Sequence, residues 1–360
     1  MATASGSAKR AFYFDSGAWL LETWNPDSDP PLEFENFNLG AMAVERMVIE
    51  AVAGASPGGE GLRPLVRRSY DGEHLRAIAR LTVDAEGRIV EVTQPMFGTN
   101  IVFRLTDRET ARQLQEPYQL VQGALVRAPY RIPASAMDGH IRYRFRFAPG
   151  MAFPVPETGE QRAASDGVAV TIDICAGCGP GLASDEESLA AARRATAWLQ
   201  SDHPRLRDIG APVGFLPITD AEKMELLRRT ARPYLDEIDF AGHFSALEAL
   251  DRGAGDCTES AVLLAALGRA AGIPTLVASG LVYSRASYHG VTNSFMPHSW
   301  TLAFVDGEWR SFDLALDTFD STHIALTIGD GDARSIFAAS QLASLLEWEA
   351  MTEVRPQPSE

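Results

Sequence analysis

Cysteine is scarce in this chain. Three residues in 360, Cys175, Cys178 and Cys257, are too few for a disulfide framework to stand in for a hydrophobic core. Long apolar runs are missing too: none approaches the roughly 18 residues that a bilayer span needs, so no membrane span is expected. Basic charge is short, with 32 Lys and Arg against 48 Asp and Glu and a net charge of −16. That balance argues against a nucleic-acid backbone or an anionic membrane surface as partner. Residues 1–10 carry a basic pair with no apolar stretch behind it, so no signal peptide is expected. Internal repeats and low-complexity tracts are absent. Apolar residues are plentiful at 46%, enough for sizeable cores, and the length suits about two domains.

The first half reads as β. Ile141-Arg142-Tyr143-Arg144-Phe145-Arg146-Phe147 alternates without a break, apolar on one face and arginine on the other, which is the pattern of a half-buried strand. Leu81–Val83 and Ile89–Val92 flank a turn with Gly87, a hairpin pattern, and a further apolar stretch runs over Ala43–Val52. Turn clusters at Asn25–Pro31, Ser56–Gly61 and Ala148–Pro156 break the region into short strands, as in a sandwich or an open antiparallel sheet. The second half changes character. Ser188–Gln200 has helical spacing, and capping boxes open helices at Thr219-Asp220-Ala221-Glu222 and Ser245-Ala246-Leu247-Glu248. Cys178-Gly179-Pro180-Gly181-Leu182 lies between the halves. The expected organisation is α+β: a β-rich domain over 1–180, then an α/β domain over 181–360.

Asp256 and Glu259 have capping-box spacing, which puts Cys257 in the first turn of a helix whose buried stripe is Val262, Leu263, Ala266, Leu267 and Ala270. Gly272 and Pro274 end it. A thiol at a helix start feels the positive end of the macrodipole, which favours thiolate, and nearby backbone N–H groups can hold an oxyanion. Cys257 is therefore expected to be the most reactive of the three cysteines, with Asp256 and Glu259 opposing. Taken alone, it reads more readily as a small buried cysteine at a helix start.

The downstream residues weigh against that plain reading. Pro297–Val305 and Glu308–Asp313 flank Asp306-Gly307, a two-residue hairpin signal. If these two form the loop, Val305 faces Glu308, and Asp313 falls opposite Trp300. His298, two residues before Trp300, then lies on the same face as Asp313 and diagonal to it. A carboxylate there can fix the tautomer of an imidazole that serves as base to a nucleophile.

At these residues the chain resembles the bacterial transglutaminase-like superfamily. The matching text is Gly255-Asp256-Cys257-Thr258-Glu259, Leu263–Pro274, Gly280-Leu281-Val282-Tyr283, His298-Ser299-Trp300, Asp306-Gly307-Glu308-Trp309 and Asp313, followed by Thr322-His323-Ile324-Ala325-Leu326. It covers about residues 185–330; Pro156–Arg162 resembles more loosely the β-rich region that precedes this domain in some members. There are two departures: Ser299 stands where many members have Ala, and Leu314 follows Asp313 where many have Pro or Ala. The resemblance implies a papain-like core and a thioester intermediate, with Cys257 as nucleophile, His298 as base and Asp313 as its orienter. It also suggests an exported or periplasmic place.

Trp300, Tyr283 and His289 are the candidate substrate-binding residues, with His289 in the loop over Tyr283–Pro297. His243 is expected at the surface or cleft rim. Cys175-Ala176-Gly177-Cys178 reads as structural or incidental, ahead of disulfide or redox use and of metal, because no second ligand pair adjoins it in sequence. Asp317, Asp320, Asp330 and Asp332 do not fit a calcium loop and read as a solvated acidic surface. No metal or cofactor is expected. The partner is a peptide or protein substrate, and the assembly state is left open. The leading expectation is a cysteine-dependent acyl-transfer enzyme on amide bonds, with hydrolysis slightly preferred over amine transfer. The alternatives are a non-catalytic binding module that keeps the fold, and an amide-forming enzyme of small-molecule assembly.

Overall fold

Short β-prone runs separated by tight turns tend to pair with their neighbours in chain order, and the first sheet does so. The computed structural model describes residues 18–38, 43–52, 61–96, 99–108, 110–112, 126–128, 131–235, 243–285 and 292–355. β1 (Leu32–Asn38), β2 (Ala43–Ala51), β3 (Arg63–Asp71), β4 (His74–Val83), β5 (Ile89–Met96) and β6 (Thr99–Arg104) form one antiparallel sheet in that order. The hairpin expected around Gly87 is the β4–β5 connection. Gly87 sits at φ +81°, and a Cβ there would meet the Leu21 carbonyl oxygen at 2.5 Å, so both conformation and space call for glycine.

Two more antiparallel sheets follow. Their strands are β7 (Val126–Arg127), β8 (Ile141–Phe147), β9 (Gln161–Ser165), β10 (Ala169–Ile174), β11 (Thr275–Ser284), β12 (Ser294–Val305), β13 (Glu308–Phe312), β14 (Ile324–Gly329) and β15 (Leu346–Glu353). The second sheet has the order β15-β8-β10-β9; the third runs β13-β12-β11-β14, with β7 paired to β12. β8 buries its four apolar residues and exposes its three arginines, as its alternation requires. The line at residue 180 is crossed in both directions, since β15 pairs with β8 and β7 with β12.

The helices are α1 (Ala134–Met137), α2 (Glu186–Arg193), α3 (Pro204–Gly214), α4 (Asp220–Ala231), α5 (Ala246–Arg252), α6 (Cys257–Ala270) and α7 (Ala333–Ala343). Capping boxes begin α4, α5 and α6 as their sequences require. α2 ends earlier than the spacing over Ser188–Gln200 predicts. Beyond Arg193 the Thr196 hydroxyl accepts from the backbone N–H groups of Trp198 and Leu199, a local turn that replaces the next helical bonds. Among the described residues no helix is long and apolar enough to cross a membrane.

Helix α6 is the hub of one core. Val262, Leu263, Ala266 and Leu267 are fully buried beside Val277 of β11 and Ala303 and Val305 of β12. Thr275 and Thr301 donate from their hydroxyls to the Ala265 and Ala261 carbonyls, fastening the helix to the sheet. The other face of the third sheet packs Trp300, Leu302, Trp309 and Ala325 against Leu189 and Ala192 of α2. β11 has no room to spare: a Cβ on Gly280 would lie 1.9 Å from the Ile324 carbonyl oxygen of β14. Backbone on both sides cannot retreat as a side chain can. Gly280→Ala is thus expected to lower stability by about 3 kcal/mol, the upper end of overpacking costs. Urea unfolding of the full chain, followed by far-UV circular dichroism, measures it; an unchanged midpoint would mean that β14 yields freely.

Candidate functional site

The site forms where the start of α6 meets the end of the β12–β13 hairpin. Asp256 is the N-cap of α6, accepting from the Thr258 N–H at 2.7 Å, while its own N–H donates to Glu259 at 2.9 Å. Glu259 is wholly buried and also accepts from the Phe244 N–H. Cys257 is then the first helical residue, partly accessible. The Ser299 backbone N–H lies near its sulfur and favours the thiolate. The β12–β13 ladder stops at the pair Thr301↔Phe312, so Ser299 lies past its end.

Electrostatics at the thiol run against the sequence expectation. Burial and then the Asp256 carboxylate push the Cys257 thiol well above its ordinary value, and the Ser299 N–H only partly offsets them. Asp256 itself is pushed up to about 6 by burial and by Glu259. Burial works against Glu259 as well, but the His243 ring 3.4 Å away and hydrogen bonds from the Asp256 and Phe244 N–H groups take it down to about 2. The capping carboxylate opposes the thiolate that the helix start favours. These influences favour the thiol form of Cys257.

The hairpin has the register read from Asp306-Gly307, with Val305↔Glu308 as its first pair. Asp306 and Gly307 both take positive φ, 54° and 92°, as a two-residue turn of this kind requires. His298 Nε2 lies 2.6 Å from Asp313 Oδ2, and both side chains are buried. Nδ1 is thereby the ring nitrogen that Asp313 does not use. The hydroxyl of Ser299, one of the two family departures, meets Ser279 Oγ at 2.7 Å across the β11–β12 pair.

A second imidazole is present that sequence reasoning did not assign. His323 Nε2 lies 3.1 Å from the same Asp313 Oδ2, and its Nδ1 faces Asp320 Oδ1 at 3.2 Å. Asp313 Oδ1 accepts from the Leu316 N–H at 2.9 Å. Burial opposes the charge on Asp313, but hydrogen bonds from His298 and His323 outweigh it and hold the carboxyl well below its usual range. Its signal was the family-like segment Thr322–Leu326, which brought no role with it. Glu160, also unassigned, receives the Ser311 N–H at 3.0 Å, and Ser311 Oγ in turn accepts from Trp300 Nε1 at 3.2 Å.

Other expected positions move. Trp300 and Tyr283, expected as substrate-binding residues, are core side chains, 2% and 4% exposed, and Tyr283 donates to Asn293 Oδ1. His289 lies outside the described residues. His243 is not at the surface: its ring stacks on Trp198 at 4.6 Å, and Nε2 is 2.7 Å from the Gly331 carbonyl. Nor is Asp320 part of a solvated acidic surface, being half-buried against His323, while Asp332 caps α7. Cys175 and Cys178 are joined as a disulfide. Among the described residues, two groups could bring three ligand atoms together within 4.8 Å: His298, Asp313 and His323, and His140, Cys175 and Cys178. In the first, both rings turn a nitrogen to one carboxylate oxygen, so shared protons hold the group together. In the second, the sulfurs bond each other and His140 Nε2 meets Asp173 at 2.8 Å.

Residues 217–314, which include Cys257, His298 and Asp313, match the model of the family described as Transglutaminase-like superfamily. The chain carries a transglutaminase-like domain. No curated protein matches the chain. Among solved structures, a candidate cysteine protease of Cytophaga hutchinsonii is 14% identical over 60% of this chain and 86% of its own, with a TM-score of 0.35. The periplasmic domain of TgpA from Pseudomonas aeruginosa is 15% identical over 53% and 76%, also at 0.35. A candidate protease of Parabacteroides distasonis is 14% identical over 79% and 64%, at 0.24. Likenesses this distant carry no argument about the site of the transglutaminase-like domain.

Replacing Asp256 separates cap from charge. Asp256→Asn keeps a good N-cap side chain and removes the carboxylate beside the sulfur, so the thiol should ionise at lower pH. Iodoacetamide should then modify Cys257 at pH 8 about threefold faster or more. Mass mapping of the alkylated chain against time reads the rate. An unchanged rate would show that this carboxylate does not act on the sulfur.

Proposed function

We propose that the chain is a cysteine-dependent acyl-transfer enzyme acting on amide bonds of peptides or proteins. The observation that carries this reading is the 2.6 Å His298–Asp313 hydrogen bond at the end of a hairpin that meets a helix-start cysteine. Asp313 Oδ2 accepts a hydrogen bond from His298 Nε2–H, which leaves Nδ1 as the basic nitrogen.

In the first step the Cys257 sulfur attacks the amide carbonyl carbon. A carbon–sulfur bond forms, and the thiol proton passes to His298 Nδ1. Because the thiol form is favoured, transfer accompanies attack and does not precede it. The carbonyl oxygen gains negative charge near the start of α6, whose positive dipole end favours it. His298 then gives its proton to the departing nitrogen as the carbon–nitrogen bond breaks, leaving a thioester. Water attacking that thioester, with His298 again taking a proton, gives the acid and restores the thiol; an amine gives a new amide. Hydrolysis is slightly preferred, since water asks for no second binding pocket. A periplasmic or exported place fits the Cys175–Cys178 cross-link, because such bonds persist in oxidising compartments.

A peptide-amide library, assayed with and without a primary amine, tests the reaction class: hydrolysis yields free acids in both arms, and transfer yields amine adducts in one. Cys257→Ala is expected to abolish turnover while the fold survives, because alanine suits a first helical turn. His298→Ala should remove most of the rate, and Asp313→Asn should lower kcat by about a hundredfold through the wrong tautomer. Turnover at the wild-type rate in Cys257→Ala would sink the nucleophile assignment, and binding without turnover in the native chain would favour a non-catalytic module.

A further inference from the structure

We propose that His323 is a positioning residue of the site: a buried imidazolium that shares Asp313 Oδ2 with His298 and, with Asp320 behind it, fixes the carboxylate that orients the base. This role rests on His298 being the base proposed above.

The geometry allows little else. Asp313 Oδ2 is approached by two ring nitrogens, at 2.6 Å from His298 and 3.1 Å from His323. An ionised carboxylate only accepts, so both nitrogens must carry protons. The remaining nitrogen of His323 lies between two partners that ask for opposite states. The Asp320 N–H, at 3.2 Å, would donate to a bare Nδ1; the Asp320 carbonyl and carboxylate oxygens, at 3.1 and 3.2 Å, would accept from a protonated one. Charge decides between them. Asp313 and Asp320 face the ring from its two ends, Glu160 adds a more distant carboxylate, and His298 stands with its ring centre 5.6 Å away. Burial alone would strip the proton from His323, yet the two carboxylates outweigh it and lift the ring to about 9.

A charge at this place solves a specific difficulty. Asp313 is 1% exposed, and a buried carboxylate is costly unless a cation answers it. If His298 alone supplied that cation, it would hold its proton and could not act as a base. With His323 carrying the positive charge, Asp313 stays ionised while His298 is neutral. Trp300 and Phe319, whose ring centres lie 5.2 and 4.9 Å from that of His323, keep water from the ring.

The test is a pH titration of the full chain labelled with 15N-histidine, followed by NMR. In the wild type, the ring whose signals vanish in His323→Gln should stay doubly protonated through pH 8, and neutral His298 should show one tautomer, with its proton on Nε2. His323→Gln keeps an N–H for Asp313 without the charge and should preserve that tautomer; His323→Leu removes both and should mix the two tautomers. A His323 ring that is neutral at pH 8, or a single His298 tautomer in folded His323→Leu, would overturn the proposal. The wild-type stability curve gives a reading that needs no variant. A ring lifted from 6.5 to about 9 stabilises the fold fully below 6.5, and that contribution disappears as pH rises towards 9. A stability flat across that window would overturn the proposal equally. Loss of the enzyme reading, through an active Cys257→Ala, leaves these spectroscopic outcomes untouched, so the two failures are told apart.

Discussion

One oxygen atom, Asp313 Oδ2, is where the site is held together. It is buried, it accepts from two imidazoles, and it sits just beyond the last pair of a hairpin whose register is set by two residues in left-handed conformation. Shift that register by one residue and Asp313 would turn to the opposite face of the sheet. The helix that bears Cys257 depends on the same hairpin, because Ala303 and Val305 of β12 form part of the floor on which α6 packs. Core packing and site geometry are therefore two consequences of one strand pairing.

Support for the hairpin comes from far away in the chain. Gln161 at the start of β9 bonds both the N–H and the carbonyl of Ala325, acting as a strand partner through its side chain. Glu160 beside it braces Ser311. Cys178 lies within reach of the Glu160 carbonyl, and the Cys175 N–H donates to it, so the cross-linked loop closes over this brace. The β-rich half is thus in direct contact with the segment that presents Asp313 and His323.

Much of this could be read from local pattern. Alternation marked β8, capping boxes marked α4, α5 and α6, and Asp306-Gly307 carried enough turn chemistry to place His298 and Asp313 on one face. The misreadings share a cause: the deciding contact is not periodic. His323 reaches Asp313 across a loop of irregular backbone, for which no spacing rule exists. Helical spacing over Ser188–Gln200 missed a single hydroxyl that ends α2. Trp300 and Tyr283, expected as substrate-binding residues, are buried in the core because β11 and β12 are covered on both faces. The sign of the Cys257 shift depended on which way a capping carboxylate leans, and a capping motif leaves that direction open.

The pairing of β15 with β8 has a meaning for biosynthesis. Strand β8 is translated early, yet its neighbour at Leu346–Glu353 leaves the ribosome only after the whole helical segment has emerged. Until then one edge of β8, with Tyr143 and Phe145 in its row, lacks the strand that closes it, and Trp348 has not yet arrived against those rings. A nascent sheet left open at an apolar edge is a template for wrong partners. The growing polypeptide must either be shielded by a chaperone or defer completion of this sheet until synthesis is over, and a ribosome that stalls before Leu346 would release a chain with its stickiest edge bare.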